Sequence, residues 1–455
     1  MTGTRLAWVV ATAVISAGLL RSLAAQDFAA PRLPELDPAA QDRLVAILRE
    51  PPADSWKSVA GAAAERARME RLQEAIDALR SAECEPLACV TSWWNVLRRR
   101  RVYEPEQALR GKLNSYPFSG YHLWVPAGYD PDEPTPLVVC LHPSGGSNGR
   151  RYIETFWGRP ELGEAAIVFA PDWPYAEGVP RWSARRHLER TYRVIGDVIF
   201  HQFNIDRNRI FLDGASDGGT EAWILASHYA HLFAGLILRA GPPPEGSADG
   251  IGSGAGESEF LSRNLRNLEV LFFDHPGIWE GRRTTRHALE NELGENTRRF
   301  EVVGLEGATP EEALRQAGAI MAAGVLDFVQ RTRRDPYPRF IDWTVKERYL
   351  QRVYWVRSLD EEPSLNRTDL PNFQVYLRPS DNRVEIESHR IRAFEIALND
   401  ALLDLSRPVT IAINDRIVFH GQPARSLARI FANVARSGDW TDVFPWVVRV
   451  EVPPL

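Results

Sequence analysis

The stretch Ile210-Phe211-Leu212-Asp213-Gly214-Ala215-Ser216-Asp217-Gly218-Gly219 limits what this chain can fold into more than any other. An apolar strand pattern runs into Gly-x-Ser-x-Gly, and a helical pattern follows from Thr220 to about His228. Small residues on both sides of Ser216 allow a tight turn. Gly214 and Gly218 let strand and helix approach closely, so the serine hydroxyl stands clear of the backbone as a nucleophile. The N–H of Asp217 then opens the helix, where the dipole and unpaired amides favour a developing oxyanion. The plainer reading of the motif is a βα turn with a capping serine. The order strand, turn, helix favours the nucleophile.

A second motif, His142-Pro143-Ser144-Gly145-Gly146, follows the apolar run Leu137 to Leu141. A glycine-rich loop after a buried strand can turn its amides toward a substrate. The oxyanion candidates are therefore Asp217 with the loop Pro143, Ser144 and Gly145, and His142 is read as a loop-positioning residue. Further apolar runs at Ala166 to Ala170, Gly235 to Leu238, Leu268 to Phe273 and Phe300 to Val303 alternate with helical patterns at Ser183 to Phe203, Arg283 to Leu293 and Glu311 to Thr332. This alternation predicts an α/β fold with a mostly parallel, doubly wound sheet. Past Pro338 the pattern changes to short strands, with Asn414-Asp415 as a turn signal and one helix at Ser426 to Arg436. The expected organisation is a leader over 1–25, a linker and helical N-terminal segment over 26–117, the α/β domain over 118–335 and a small β-rich accessory domain over 336–455.

The first 25 residues read as a secretory leader: Arg5, an apolar run from Leu6 to Leu20, then Ser22-Leu23-Ala24-Ala25. The run is short for a membrane span, so export to the periplasm or beyond is expected, with no stable span after cleavage. The leader contains Arg5 and Arg21 and no acid, so its removal takes the formal charge from −6 to −8. A chain this acidic carries no electrostatic footprint for nucleic acid. Of three cysteines, Cys84 and Cys89 form a small-loop disulfide or remain thiols, and Cys140 is a buried thiol. A metal site is not expected, because no His or Cys pair with ligand spacing lies near these cysteines, and no cofactor is expected.

Specific segments carry a resemblance. Tyr121-His122-Leu123-Trp124-Val125-Pro126-Ala127-Gly128-Tyr129-Asp130, Asp206-Arg207-Asn208-Arg209-Ile210-Phe211-Leu212 and His231-Leu232-Phe233-Ala234-Gly235 resemble secreted bacterial esterases of the feruloyl-esterase, polyhydroxybutyrate-depolymerase and prolyl-oligopeptidase-like group. The junction Arg334-Asp335-Pro336-Tyr337-Pro338 and the β-rich C-terminus resemble a set of exported α/β-hydrolases of planctomycete-like bacteria. The resemblance spans roughly residues 118–455. It implies the α/β-hydrolase fold and a serine hydrolase acting on an ester, less readily on a peptide.

A Ser-His-acid triad needs two more groups. The family's acid follows the strand that is here Leu268 to Phe273. The segment there is Asp274-His275-Pro276-Gly277-Ile278-Trp279-Glu280, which leaves Asp274, Glu280 and, in the preceding loop, Asp249 as candidates. The family's base follows the last strand, but Gly304 to Thr309 contains no histidine, and none occurs between His287 and His389. Glu306 occupies that loop and is a weak base unless burial raises its pKa. His275, at the carboxyl end of a strand, is the replacement base by default. Trp173, Tyr175 and Trp182 lie on a loop at the same edge and either line the substrate cleft or pack the loop. The expected function is an exported carboxylic-ester hydrolase with a small or polymer-linked substrate and a non-standard or incomplete triad. The rival readings are a degenerate hydrolase that binds a carbohydrate, ester ligand or cell-envelope partner without turnover, and a C-terminal domain that does the binding.

Overall fold

In a computed structural model of the chain, the described residues are 110–116, 121–143, 148–172, 203–243, 261–280, 286–307, 309–345, 351–361, 369–426, 429–430 and 443–454, with isolated positions at 67, 70, 71, 74 and 195. The leader, both N-terminal cysteines and, apart from Ile195 and Phe203, the helical pattern at 183–203 fall outside them.

Eight strands form the main sheet: β1 (Lys112–Tyr116), β2 (Tyr121–Val125), β3 (Thr135–Leu141), β4 (Ile167–Pro171), β5 (Ile205–Ala215), β6 (Gly235–Arg239), β7 (Glu269–Asp274) and β8 (Arg299–Gly304). Their spatial order is β1-β2-β4-β3-β5-β6-β7-β8. β1 with β2 and β2 with β4 are antiparallel, and every pair from β4 to β8 is parallel. The inner strands are buried along almost their whole length because both faces are covered, which is why they read as unbroken apolar runs. Alternate residues serve opposite layers: Leu137, Val139 and Leu141 face one core, Val138 and Cys140 the other. The labelled helices are α1 (Gly149–Tyr152), which continues into a π-turn at Ile153–Trp157, α2 (Asp217–His228), α3 (Arg286–Asn296), α4 (Pro310–Gln316) and α5 (Gly318–Arg331). Strand order and helix placement give the α/β-hydrolase fold.

Three elements depart from the sequence reading. β1 starts at Lys112, inside the segment read as linker, and adds an antiparallel edge strand. The single helix expected over Glu311 to Thr332 is two, because the chain leaves helical geometry at Ala317 (ψ 11°). The next residue, Gly318, faces the Arg159 guanidinium so closely that a Cβ would lie 2.5 Å from it. Within the short-strand pattern past Pro338, residues 353–356 form a tight hairpin turning at Tyr354 with φ 49°.

Past Pro338 the strands make two sheets of their own. β9 (Phe340–Thr344), β12 (Asn372–Arg378), β13 (Arg383–His389), β15 (Val409–Ile413) and β16 (Arg416–Gly421) form one, in the order β16-β15-β13-β12-β9. β10 (Arg352–Val353), β11 (Val356–Glu361), β14 (Ile391–Leu398) and β17 (Trp446–Glu451) form the other. Phe373 and Phe394 meet edge to face across the two sheets at 5.3 Å. β14 escapes a sequence reading because a single residue, Arg390 at φ 58°, joins it to β13 without a Gly, Pro or Asn signal. The apolar cluster of this sandwich is continuous with one face of the main sheet. Asn264 ties the two units, accepting from the Thr344 amide at 2.7 Å and donating to the Thr344 carbonyl at 3.2 Å.

Beneath the turn at Ser216 lies a buried ion pair. Asp213 on β5 accepts from Trp157 Nε1 at 2.6 Å and from Arg239 Nε at 3.1 Å, with a second contact from Arg239 Nη2. The Arg239 guanidinium lies 3.6 Å from the Phe156 ring centroid, a close cation–π contact. Burial pushes the Tyr152 hydroxyl and the Cys140 thiol well above their ordinary pKa values, so both stay neutral beside Asp213. Removing one member of such a pair leaves an uncompensated charge. Arg239→Met is expected to lower unfolding stability in urea by ~3–5 kcal/mol. The double variant Asp213→Asn/Arg239→Met should recover part of that loss. A single-variant loss below ~1 kcal/mol would contradict this account.

Candidate active site

Ser216 closes β5 at φ 50° and ψ −123°, a conformation that non-glycine residues rarely adopt, and its side chain is exposed. The surrounding glycines explain how the turn is held. A Cβ on Gly214 would stand 2.4 Å from the Gly218 carbonyl oxygen, and one on Gly218 would stand 2.2 Å from that of Leu141 and 2.6 Å from that of His142. No side chain fits at either position, so the first turn of α2 packs directly on the end of β3. The Ser216 amide donates to the Arg239 carbonyl at 3.0 Å, and the Ser216 carbonyl accepts from Gly219 and Thr220. Asp217 is the first residue of α2, where backbone N–H groups have no partner within the helix. Its own carboxylate is exposed.

The register Leu141↔Gly214 carries the next pair, His142 and Ala215, to the same edge. The loop His142–Pro143 is thereby placed beside the serine turn. Pro143 has no N–H and cannot donate to an oxyanion. Its carbonyl instead accepts from His142 Nδ1 at 2.9 Å. Ser144 and Gly145 lie outside the described residues, as do Asp249, Trp173, Tyr175 and Trp182. His142 is fully buried, and desolvation lowers its imidazole pKa, which keeps the ring neutral.

His275 departs from its expected role. Its Nδ1 accepts from the Gly277 amide at 3.0 Å, which caps the short helix Pro276–Trp279. With Nδ1 as acceptor, Nε2 carries the hydrogen and donates to the Gly307 carbonyl at 3.0 Å. A general base needs a free lone pair, and this ring presents none. Its neighbours do not orient it either. Asp274 accepts from Trp279 Nε1 at 2.8 Å and pairs with Arg286 at 3.2 Å, and Glu280 is exposed. Glu306 is also exposed.

One acid–imidazole pair was missed by sequence reasoning. His122 Nε2 lies 2.9 Å from Asp172 Oδ2, while Asp172 Oδ1 accepts from the Gly149 amide at 3.1 Å. The pair ties β2, the end of β4 and the start of α1. The available signal was a histidine inside an otherwise buried strand, and an acid directly after another. Among the described residues, no group of three or more His, Cys, Asp or Glu side chains is placed to hold a metal. No described helix is long and apolar enough to cross a membrane.

Comparison with known proteins agrees with the type of fold. No protein-family model matches the chain. It is 27% identical over 162 residues to a poly(3-hydroxybutyrate) depolymerase of Ralstonia pickettii, covering 31% of this chain and 32% of the relative. It is 25% identical over 133 residues to acetylxylan esterase A of Emericella nidulans, covering 27% of this chain and 42% of the relative. The strand order and helix placement of this chain are those of the α/β-hydrolase fold. It spans less than half the length of the curated relatives it matches. Among solved structures, a putative dienelactone hydrolase of Klebsiella pneumoniae aligns at TM-score 0.37 and 14% identity, over 46% of this chain and 92% of that one.

Two expected outcomes test the geometry of the Ser216 turn and of its neighbour His142. Glycine adopts the Ser216 backbone angles freely, whereas other residues are strained there by ~1–3 kcal/mol. Part of that gain is offset by the greater freedom of glycine in the unfolded chain. Ser216→Gly is therefore expected to be more stable than Ser216→Ala by ~1 kcal/mol in urea unfolding. Equal stability of the two would remove the strain. His142 has a folded-state pKa below its unfolded value, so the unfolded chain binds its proton first as pH falls. Stability should drop as pH goes below the ordinary imidazole value of ~6.5, and His142→Asn should make that drop shallower. An unchanged slope would show that the ring is not the buried titrating group.

Proposed function

We propose that this chain is an exported carboxylic-ester hydrolase in which Ser216 is the nucleophile and the triad is incomplete. The observation that carries the reading is Ser216 itself: exposed, held in a strained turn, and followed directly by the N-terminus of α2. A serine without a chemical role gives no reason to keep that strain. The Asp217 N–H and the loop after His142 would bind the oxyanion as the serine oxygen attacks the ester carbonyl. The apolar run from Leu6 to Leu20 supports export. The matches to a polyhydroxybutyrate depolymerase and an acetylxylan esterase support an ester on a polymer as substrate.

The engaged ring of His275 and the histidine-free loop Gly304 to Thr309 favour slow turnover. Without a triad base, an oxyanion hole and binding alone leave roughly 10³–10⁴-fold acceleration over water. Such a site would act on esters with good leaving groups. The same observation supports a second reading, in which the Ser216 cleft binds an ester or saccharide ligand without hydrolysis.

The mature protein is expected to hydrolyse p-nitrophenyl acetate weakly, and Ser216→Ala should abolish that activity. With no imidazole base, log kcat/KM should climb steadily with pH and show no plateau above the imidazole range. A sigmoid pH profile that disappears in His275→Gln would restore His275 as the base. If wild type and Ser216→Ala are equally inactive on short esters, the hydrolase reading fails. The binding reading then predicts that a ligand raises the melting temperature.

A further inference from the structure

Two consecutive exposed residues, Ser216 and Asp217, interrupt a run that is otherwise buried from Ile210 to Gly219. The nucleophile reading uses the Ser216 hydroxyl and the Asp217 N–H. It leaves the Asp217 carboxylate without a task. That carboxylate has no hydrogen-bond or ion-pair partner among the described residues. The positive end of α2 favours a negative side chain at its first residue, so the fold tolerates the charge. The chemistry does not.

The Asp217 amide is the oxyanion donor of the reading above, and the carboxylate hangs from the same Cα. Covalent geometry holds its oxygens within ~5 Å of that nitrogen. A negative charge so close opposes a tetrahedral oxyanion bound there. The described groups at the turn do not offset it. Arg239 is buried and engaged with Asp213. His142 is buried, and desolvation keeps its ring neutral. Further along the same edge of the sheet, Arg286 pairs with Asp274 and Glu290, while the exposed Glu280 and Glu306 carry the same sign as Asp217.

This arrangement sorts esters by charge. A neutral ester gains nothing from the carboxylate on binding and meets its repulsion as the oxyanion forms. An ester with an anionic group near the carbonyl is repelled at both stages. An ester with an ammonium group a few bonds from the carbonyl reverses both effects. Its charge pairs with Asp217 on binding and remains beside the oxyanion in the transition state. The substrate then brings the countercharge that the protein lacks.

We propose that the Asp217 carboxylate makes the Ser216 site selective for cationic esters, such as those of amino acids or amino alcohols, an inference that rests on Ser216 being the nucleophile. The experiment compares three p-nitrophenyl esters with one leaving group and different acyl charge: the γ-trimethylammoniobutyrate, its neutral carbon isostere and the mono-ester of glutaric acid. Each kcat/KM is divided by the rate of that ester with hydroxide. Wild type should prefer the cationic ester to the isostere by about five- to tenfold, and the isostere to the glutarate by a similar factor, as for one pair of charges a few ångströms apart in water-like surroundings. High salt should shrink both preferences. Asp217→Asn and Asp217→Ser keep the backbone N–H and remove the charge. Each should bring both ratios to within about twofold of unity, by slowing the cationic ester and speeding the other two. A carboxylate that serves helix stability alone would change the melting temperature and leave the ratios untouched.

Unchanged ratios in both variants, or a wild type that treats the three esters alike, overturn the selectivity. Ser216→Ala, inactive on all three, would in that case still uphold the nucleophile. Loss of every activity in both Asp217 variants at the wild-type melting temperature also overturns it, by making the carboxylate a reacting group for any ester. Equal inactivity of wild type and Ser216→Ala defeats the hydrolase reading, and the selectivity with it.

Discussion

The first turn of α2 lies on the end of β3 with nothing between them but backbone. Gly218 sits where any Cβ would overlap the carbonyls of Leu141 and His142, and Gly214 where it would overlap Gly218. Gly241 repeats the contact one strand further along, where a Cβ would come within 2.6 Å of Gly219 Cα. These approaches set the angle at which helix leaves sheet, and that angle forces Ser216 out of ordinary backbone geometry. They also bring the loop after β3 next to the serine. One packing constraint thus produces both the exposed hydroxyl and the position of the loop that would face it.

Such a turn needs a stiff base, and β6 supplies it twice through one residue. The Arg239 carbonyl receives the Ser216 amide, while its guanidinium reaches back to Asp213, three residues before the serine. Trp157, Tyr152 and Phe156 close over the pair from α1 and its π-turn. A buried ion pair is weak evidence of added stability, because desolvation opposes the attraction. Its value here is geometric: it locks β5 against β6 directly below the strained residue. The strain at Ser216 is sustained because the strands on either side cannot relax.

The central strands were legible in the sequence because both faces of a parallel sheet are buried, so β3, β4, β6 and β7 read as continuous apolar runs. The serine turn was legible for a related reason, since only small residues survive where backbones touch. What remained hidden depends on contacts distant in the chain. β1 has no apolar run and exists by pairing with β2. β14 follows β13 through one left-handed arginine. The halves of the Asp213–Arg239 pair are 26 residues apart, and those of the His122–Asp172 pair are 50 apart. No local pattern announces either. His275 was placed correctly at the carboxyl edge of β7, but the partners of its ring nitrogens, Gly277 and Gly307, are backbone groups that composition cannot reveal.

The way His275 is held joins two loops at the carboxyl edge of the sheet. Asp274, which begins the turn, points its carboxylate at Trp279 and Arg286, away from the histidine beside it. The Asp274 carbonyl accepts from Leu305, and the His275 ring donates to Gly307, so the loops after β7 and β8 are bonded to each other. In a complete triad these two loops carry the acid and the base, which meet through one hydrogen bond. Here the same two loops meet through an imidazole and main chain. The His275 imidazole closes that seam. Freeing it would open the junction between β7 and β8, so the fold opposes its release. The Ser216 turn keeps its strain, while His275 serves as a joint between the loops after β7 and β8.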